Sequence, residues 1–420
     1  MKCNIISLGC PKNLVESEEI IGTLGAAGCE IAVLPEDADI MIINTCGFIE
    51  PAIEETKHEI ANALTIAQKT GARLFVYGCA VNRCKQVLQS LFPEVIHWYR
   101  IDQQSEMIDM IMQTRITTTS RLVTTPGYAY LKIADGCSNK CAYCTIPDIR
   151  GPFHSIPQPY IVNQAQELAD VGIKEVILVA QDITQYGVDV YGKPCLTDLI
   201  RSISAIDGIS WIRLLYAHPR GITDELIQEI GTNDRVCNYL DVPIQHINDR
   251  LLHIMHRKTS RQHIETSFSR LQDIKGISIR TTVIAGLPTE NDKEFMELID
   301  FLQHSPVTWL GVFSYHPEPG TRAAIMDQHD PVTVDERYTQ LIQLQHDLLM
   351  KHYEQLLGKT HTVMVHGRNS HYCGHSEHSC PEIDDPILID APHLEYGCFY
   401  QARFDHFDKE QMYAEVSATL

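Results

Sequence analysis

Three cysteines fall within eight residues in "CSNKCAYC": Cys137, Cys141 and Cys144, spaced C-x3-C-x2-C. Thiolates at this spacing suit a metal, but a closed tetrahedral site needs four donors. Zinc is one solution. His154 could complete a Cys3His set, although its spacing is not that of a zinc finger and no second cysteine pair follows nearby. An iron–sulfur cluster is the other. Four cysteines normally complete a cubane. With three, one iron stays open to a substrate, as an open position marks a catalytic zinc site.

A second set is dispersed. Cys10, Cys46 and Cys79 close the apolar runs "KCNIISLGC", "ADIMIINTC" and "RLFVYGC". If these runs are strands of one parallel sheet, their carboxyl ends share an edge, and that edge is where ligands bind. Cysteine is also a common small core residue, and this plainer reading is preferred for Cys29, Cys195 and Cys237.

The elements that must position these residues follow from periodicity. Between the three runs lie the helical patterns "SEEIIGTLGAAG", ending at Gly28, "IEETKHEIANALTIAQKTG" and "NRCKQVLQSLF". This βαβ rhythm predicts a doubly wound parallel sheet. The polar run "TRITTTSRLVTTPG" reads as a linker. Six further apolar strands alternate with helical patterns: "YAYLKIAD", "KEVILVA", "WIRLLYA", "NYLDVPIQ", "ISIRTTVIAG" and "WLGVFSY". Six βα units predict a partial barrel, short of eight, with the cysteine triplet in the first βα loop at its mouth. A long amphipathic helix, "RYTQLIQLQHDLLMKHYEQLLG", precedes short strands that predict a small antiparallel β-barrel. The expected fold class is therefore α/β, with domains at residues 1–115, 123–355 and 356–420.

The chain has 420 residues, 54 acids against 34 bases and a net charge of -20. That balance argues against a general nucleic-acid binder and favours a basic partner. Fourteen cysteines are too dilute for a disulfide scaffold. No apolar stretch approaches the roughly 20 residues of a membrane-spanning helix. A reducing, cytoplasmic setting is expected, where clustered cysteines act as ligands or catalysts.

"CSNKCAYC" resembles the radical S-adenosylmethionine signature, with Tyr143 in its aromatic place, and "SLGCPKNLVESE", "NTCGFI" and "YGCAVNR" resemble the three cysteine motifs of the methylthiotransferases. The resemblance implies two 4Fe-4S clusters, one on Cys137, Cys141 and Cys144 and one on Cys10, Cys46 and Cys79. On the first, the open iron takes S-adenosylmethionine, whose cleavage releases a 5′-deoxyadenosyl radical. On the second, the open iron holds the sulfur to be methylated and transferred. The C-terminal barrel is similar to a TRAM substrate-recognition domain. "GCPKNLVESE", "PIQHINDRLLHIMHR" with Gln245 and His246, "QDITQYGVD" and "CPEIDDPILI" are similar to the RimO-type members, which act on ribosomal protein S-12. "GHSEHSCPEID" departs from that pattern at His375 and Cys380.

This likeness implies a transferase acting on a β-carbon of an S-12 aspartate, with S-adenosylmethionine as cosubstrate. An electron donor and a sulfur donor are implied as partners; tRNA and membrane are not. Hydrogen abstraction by a radical needs no general base, so no acid–base pair is assigned. Tyr143, Gln181, Arg280 and Gly286 are the candidate S-adenosylmethionine contacts. Residues 359–420 carry 4 Lys/Arg and 10 Asp/Glu. An acidic face there, including Glu382, Asp384 and Asp385, is expected to steer a basic protein. The rival readings are the same chemistry on tRNA adenosine and a non-enzymatic zinc- or cluster-binding RNA adaptor.

Overall fold

The computed structural model describes residues 1–408 and 411–419. The chain divides into two compact bodies. One comprises residues 1–124, 135–139 and 144–153; the other comprises residues 125–134, 140–143 and 154–420. Among the described residues no helix is long and apolar enough to cross a membrane.

The first body holds five parallel strands: β1 (Lys2–Ser7), β2 (Glu30–Ile31), β3 (Ile40–Thr45), β4 (Arg73–Gly78) and β5 (His97–Tyr99), in the order β2-β1-β3-β4-β5. Period-two alternation explains how both faces are covered. Met41, Ile43, Leu74 and Val76 enter one core with Ile60, Ala63 and Leu88. Their neighbours Ile40, Ile42, Phe75 and Tyr77 enter another with Ile20, Leu24, Met107 and Ile111. The helices supplying these layers are α1 (Pro11–Ala26), α2 (Glu50–Thr70), α3 (Cys79–Leu91) and α4 (Gln104–Met112). Strands β2 and β5, only two and three residues long, are too short to register as a pattern.

Helix α1 begins at Pro11, directly after Cys10 and six residues before the apolar periodicity suggests. Its first turns bury Lys12, Asn13 and Glu16 with Val15 as the one buried apolar residue among them, so hydropathy misses them. The polar linker is pinned: Arg121 pairs with Glu18 at 2.6 Å and Leu122 N–H donates to Glu18 O.

Two short strands, β7 (Ala134–Asp135) and β8 (His154–Ser155), flank the cysteine signature in sequence. The second body holds six parallel strands: β6 (Tyr128–Lys132), β9 (Glu175–Val179), β10 (Trp211–Leu214), β11 (Val236–Asp241), β12 (Ser278–Ala285) and β13 (Val307–Ser314). They form one sheet in the order β6-β9-β10-β11-β12-β13, the partial barrel that six βα units predict. Strands β14 (Thr360–Arg368), β15 (Tyr372–Ser376), β16 (Ile387–Asp390), β17 (Cys398–Phe407) and β18 (Met412–Thr419) close into the C-terminal barrel, in which β16 and β18 pair in parallel.

Every one of the six sheet strands gives a side chain to the segment 375–384 of the C-terminal barrel. Tyr128 and Tyr130 donate to Glu382, and Glu175 accepts from His375 at 2.5 Å and from Arg213 at 2.7 Å. Arg213 also donates to the carbonyls of Ser376 and Glu377, and Trp309 Nε1 to that of His378. Tyr239 and Arg280 both bind Asp384. This corrects the expectation of a free acidic face at Asp384, whose side chain is 2% exposed; Glu382 remains exposed, with its carboxylate accepting from Tyr128 and Tyr130. Sequence charge cannot tell a steering acid from a buried acceptor. His375 and Cys380, the two departures, are likewise buried in this joint.

Burial lowers the affinity of several imidazoles here for protons. Both His352 and His366 fall from the ordinary 6.5 to about 3, through burial first and neighbouring histidines second. They stay neutral when folded, whereas unfolded they gain a proton below the ordinary value. Acidification therefore favours unfolding, by up to about 1.4 kcal/mol per pH unit for each histidine below about pH 6.5. Denaturant unfolding of the full chain from about pH 7.5 to 5 is expected to show this loss, and the double variant His352→Gln/His366→Gln a flatter slope. Equal slopes for wild type and variant would refute it.

Candidate functional site

The first body gathers Cys10, Cys46 and Cys79 at the carboxyl edge of β1, β3 and β4, as the parallel topology requires. The thiols of Cys10 and Cys79 both reach Asn13 Oδ1, at 3.9 and 3.7 Å. Asn13 is fully buried, and its amide nitrogen donates to Leu8 O at 2.9 Å and Thr45 O at 3.0 Å. One asparagine thus fixes the ends of β1 and β3 and touches two of the three thiols. Thr56 Oγ1 holds the Cys46 carbonyl at 2.8 Å.

The deepest charge at this edge is Arg150, at the end of α5 (Ile146–Arg150), with a side chain 1% exposed. Its guanidinium grips Glu16 at 2.7 and 3.2 Å and Asp135 at 3.0 Å, and donates to Asn13 Oδ1 at 2.7 Å and to Cys79 Sγ at 3.3 Å. Burial pushes the Cys79 thiol up to about 12, and Arg150 opposes that rise; burial also raises Cys46. Thiols this shielded become thiolates only beside positive charge. A guanidinium on one sulfur and three converging thiols suit an anionic, sulfur-ligated cluster. Among the described residues no three His, Cys, Asp or Glu gather tightly enough for a single metal ion.

Cys137 and Cys144 also lie in the first body. Cys137 N–H donates to Gly151 O at 3.0 Å. Gly136 before it has φ +68, and a Cβ there would meet Pro152 O at 2.1 Å, so the turn into the signature demands glycine. Thr145, next to Cys144, donates to Phe48 O at 2.8 Å.

Cys141 lies in the second body, on a loop held by backbone bonds from Ala142 N–H to Met255 O and from Ala323 N–H to Ala142 O, each 2.9 Å. Arg257 Nη1 donates to Cys141 Sγ at 3.8 Å. Tyr143 packs on an apolar cluster of Ala142, Met255, Leu287, Tyr315 and Ala323. Gln181 follows β9 at its carboxyl end. Gly286 has φ +73, and the atom crowding its missing Cβ is Val334 Cγ2 at 2.8 Å. Arg280 binds Asp241 at 3.3 Å, Thr282 at 3.0 Å and Asp384 at 3.2 Å. Gln245 sits at φ +70, and His246 Nε2 meets Glu290 at 2.8 Å. His154, the candidate fourth zinc donor, is exposed and faces Asp189 at 3.6 Å.

Sequence reasoning did not single out Asn13, Arg150 or Arg257. Each stands near a cysteine motif or a quoted stretch, but nothing in residue type separates a buried arginine from a surface one. Replacing Arg150 by Ala leaves Glu16 buried without its counter-charge, which is expected to cost about 3–5 kcal/mol. Arg150→Lys should fall between, because it keeps charge but loses the fork. Chemical denaturation reads both, and a loss under about 1 kcal/mol for the alanine variant would show the network to be weak.

Residues 131–302 match the radical SAM superfamily, and residues 2–99 match the uncharacterized protein family UPF0004. The protein from Acetivibrio thermocellus named ribosomal protein uS12 methylthiotransferase RimO is 38% identical, covering 99% of this chain and 98% of its own length. The Aquifex aeolicus protein of the same name is also 38% identical, over 93% of this chain and 91% of its own. Among solved structures, the radical S-adenosylmethionine methyltransferase TsrM from Kitasatospora setae shares the fold, with a TM-score of 0.59 at 13% identity over 77% of this chain and 74% of that one. The cobalamin-dependent S-adenosylmethionine radical enzyme OxsB does so at 0.53, with 11% identity over 84% and 56%. The near-complete coverage by these relatives and the radical SAM match establish that the chain belongs to the RimO family of radical S-adenosylmethionine methylthiotransferases, transferases that use a 4Fe-4S cluster and S-adenosylmethionine.

Proposed function

We propose that this enzyme transfers a methylthio group to the β-carbon of an aspartate in ribosomal protein S-12, in the cytoplasm, with two 4Fe-4S clusters. The observation that carries the reading is the end-to-end similarity to relatives named for uS12. Cys137, Cys141 and Cys144 would hold the first cluster and Cys10, Cys46 and Cys79 the second, within an N-terminal domain of residues 1–115, a core of 123–355 and a barrel of 356–420. When bound, these groups and S-adenosylmethionine supply the methyl group, the transferable sulfur and the one-electron chemistry that removes hydrogen from the substrate carbon.

The chain's own residues do the placing. Asn13 Oδ1 accepts from the Cys10 and Cys79 thiols and orients them, while the Arg150 guanidinium stabilises negative charge on the Cys79 sulfur. Burial of Cys46 and Cys79 keeps water from that edge. Tyr143, packed beside Ala142, stiffens the loop that carries Cys141. Gln181 at the end of β9 and the turn after β12 at Gly286 lie where barrel sites form. Arg280 joins them in the candidate contact set, with its guanidinium already engaged by two carboxylates.

Replacing Cys137, Cys141 and Cys144 by Ala should remove about half of the iron and all cleavage of S-adenosylmethionine. Replacing Cys10, Cys46 and Cys79 should spare cleavage and abolish sulfur insertion. Anaerobic turnover with S-12 and with tRNA, read by mass spectrometry, decides the substrate. Full methylthiolation by the second variant would refute the two-cluster assignment, and modification of tRNA alone would transfer the same chemistry to the rival substrate.

Among the described residues, the exposed acids of the C-terminal barrel are Glu382, Asp390, Glu395, Asp405, Asp408 and Glu415. Asp390 and Glu415 face each other in the β16–β18 register. Replacing Asp390, Glu395 and Glu415 by the matching amides should slow association with S-12, and the slowing should shrink as salt rises, since exposed charges are screened over about 8–10 Å near physiological ionic strength. Cleavage of S-adenosylmethionine without substrate should be unchanged. Stopped-flow association against salt measures this, and an unchanged rate would remove the barrel from substrate capture.

A further inference from the structure

The loop that carries Cys141 is met by an arginine in an unusual setting. Arg257 is nine-tenths buried. Its neighbours on both sides, His256 and Lys258, occupy the left-handed backbone region at φ 53 and 54, a conformation that persists in non-glycine residues only where the surroundings impose it. The surroundings are visible. Arg257 N–H donates to Leu252 O at 2.9 Å, and His256 Nε2 meets Arg322 Nη1 at 2.9 Å. The other arm of Arg322 donates to Lys140 O at 2.7 Å, beside Cys141. The guanidinium spends Nη2 on Pro243 O and Nη1 on Cys141 Sγ, at 3.8 Å for the sulfur. Its Nε–H is buried with no partner among the described residues. A buried donor left unpaired is costly, and beside a cysteine sulfur it is free to meet whatever that sulfur binds.

We propose that Arg257 is a positioning residue that sets the reduction potential of the cluster held by Cys141. A hydrogen bond and a full positive charge at a ligand sulfur stabilise the more negative, reduced state, so they raise the potential. The couple is a one-electron gain from an external low-potential reductant, with no bond made or broken. The strained turn holds the guanidinium in place before any ligand binds, so no reorganisation is needed on reduction. This inference rests on the assignment of Cys141 as a cluster ligand, which Cys141→Ser tests separately by loss of iron.

The experiment is a redox titration of the anaerobic, full-length enzyme, followed by electron paramagnetic resonance without S-adenosylmethionine, for wild type, Arg257→Gln and Arg257→Lys. With iron retained, Arg257→Gln should lower the equilibrium for reduction about tenfold, a shift of about 59 mV to more negative potential for one electron. Arg257→Lys should shift it less. Cleavage of S-adenosylmethionine should slow with a weak reductant and recover with a stronger one. An iron-replete Gln variant at the wild-type potential would overturn the proposal, as would a raised KM for S-adenosylmethionine with the potential unchanged. If neither variant holds iron, alkylation of Cys141 in iron-free protein decides: slower alkylation in the variants supports the guanidinium–sulfur contact, and equal rates overturn it.

Discussion

One buried positive charge organises the N-terminal half of the chemistry. Arg150 is sunk almost completely, and a lone guanidinium there would be prohibitively costly. It is tolerable because Glu16 and Asp135 answer the charge and Asn13 and Cys79 take remaining donors. The same bonds dictate much else. Glu16 and Asn13 must face inward, so α1 has to start at Pro11 with a polar inner turn. Asn13 must in turn hold the ends of β1 and β3, which places Cys10 and Cys46 beside the strand end that delivers Cys79. The stretch that follows Cys144 in sequence is thereby anchored at the cysteine triad.

The second body depends on a comparable device of different purpose. A six-stranded partial barrel leaves polar and aromatic side chains in its interior without the staves that would complete a full barrel. Here the segment 375–384 supplies partners for all six strands, with Glu175 as the most demanding member. Burial would raise its carboxyl, but Arg213 and His375 outweigh that and hold it at about 2. His375 is therefore part of an internal joint. Arg280, shared between Asp241 and Asp384, extends the same layer towards the middle of the sheet.

A chain this acidic carries few cations, and their use is selective. Arg150 and Arg257, both buried, each place a guanidinium against the sulfur of a candidate ligand, Cys79 in one body and Cys141 in the other. Surface ion pairs such as Lys57–Glu54 are exposed and contribute little. Hydrogen bonds to sulfur in a buried setting act on charge directly, because little water screens them.

The amino-acid sequence by itself determined the reaction class. Six cysteines at family spacing, the period-two strands that end in Cys10, Cys46 and Cys79, and the six βα repeats were all legible, because ligand spacing and apolar alternation are local properties. The two shortest strands of the first sheet and the polar start of α1 were not, since neither carries a periodic apolar signal. Tertiary structure alone decided which charges work. Asp384 reads as a surface acid until Tyr239 and Arg280 are seen to bind it, and Glu382, though exposed, proves to be tied to Tyr128 and Tyr130. Arg150, Arg257 and Asn13 read as ordinary polar residues until burial removes water and leaves sulfur and carboxylate as their partners. A charge acquires its role from the solvent it has lost and the groups that replace it, and those groups lie up to 254 residues away in sequence.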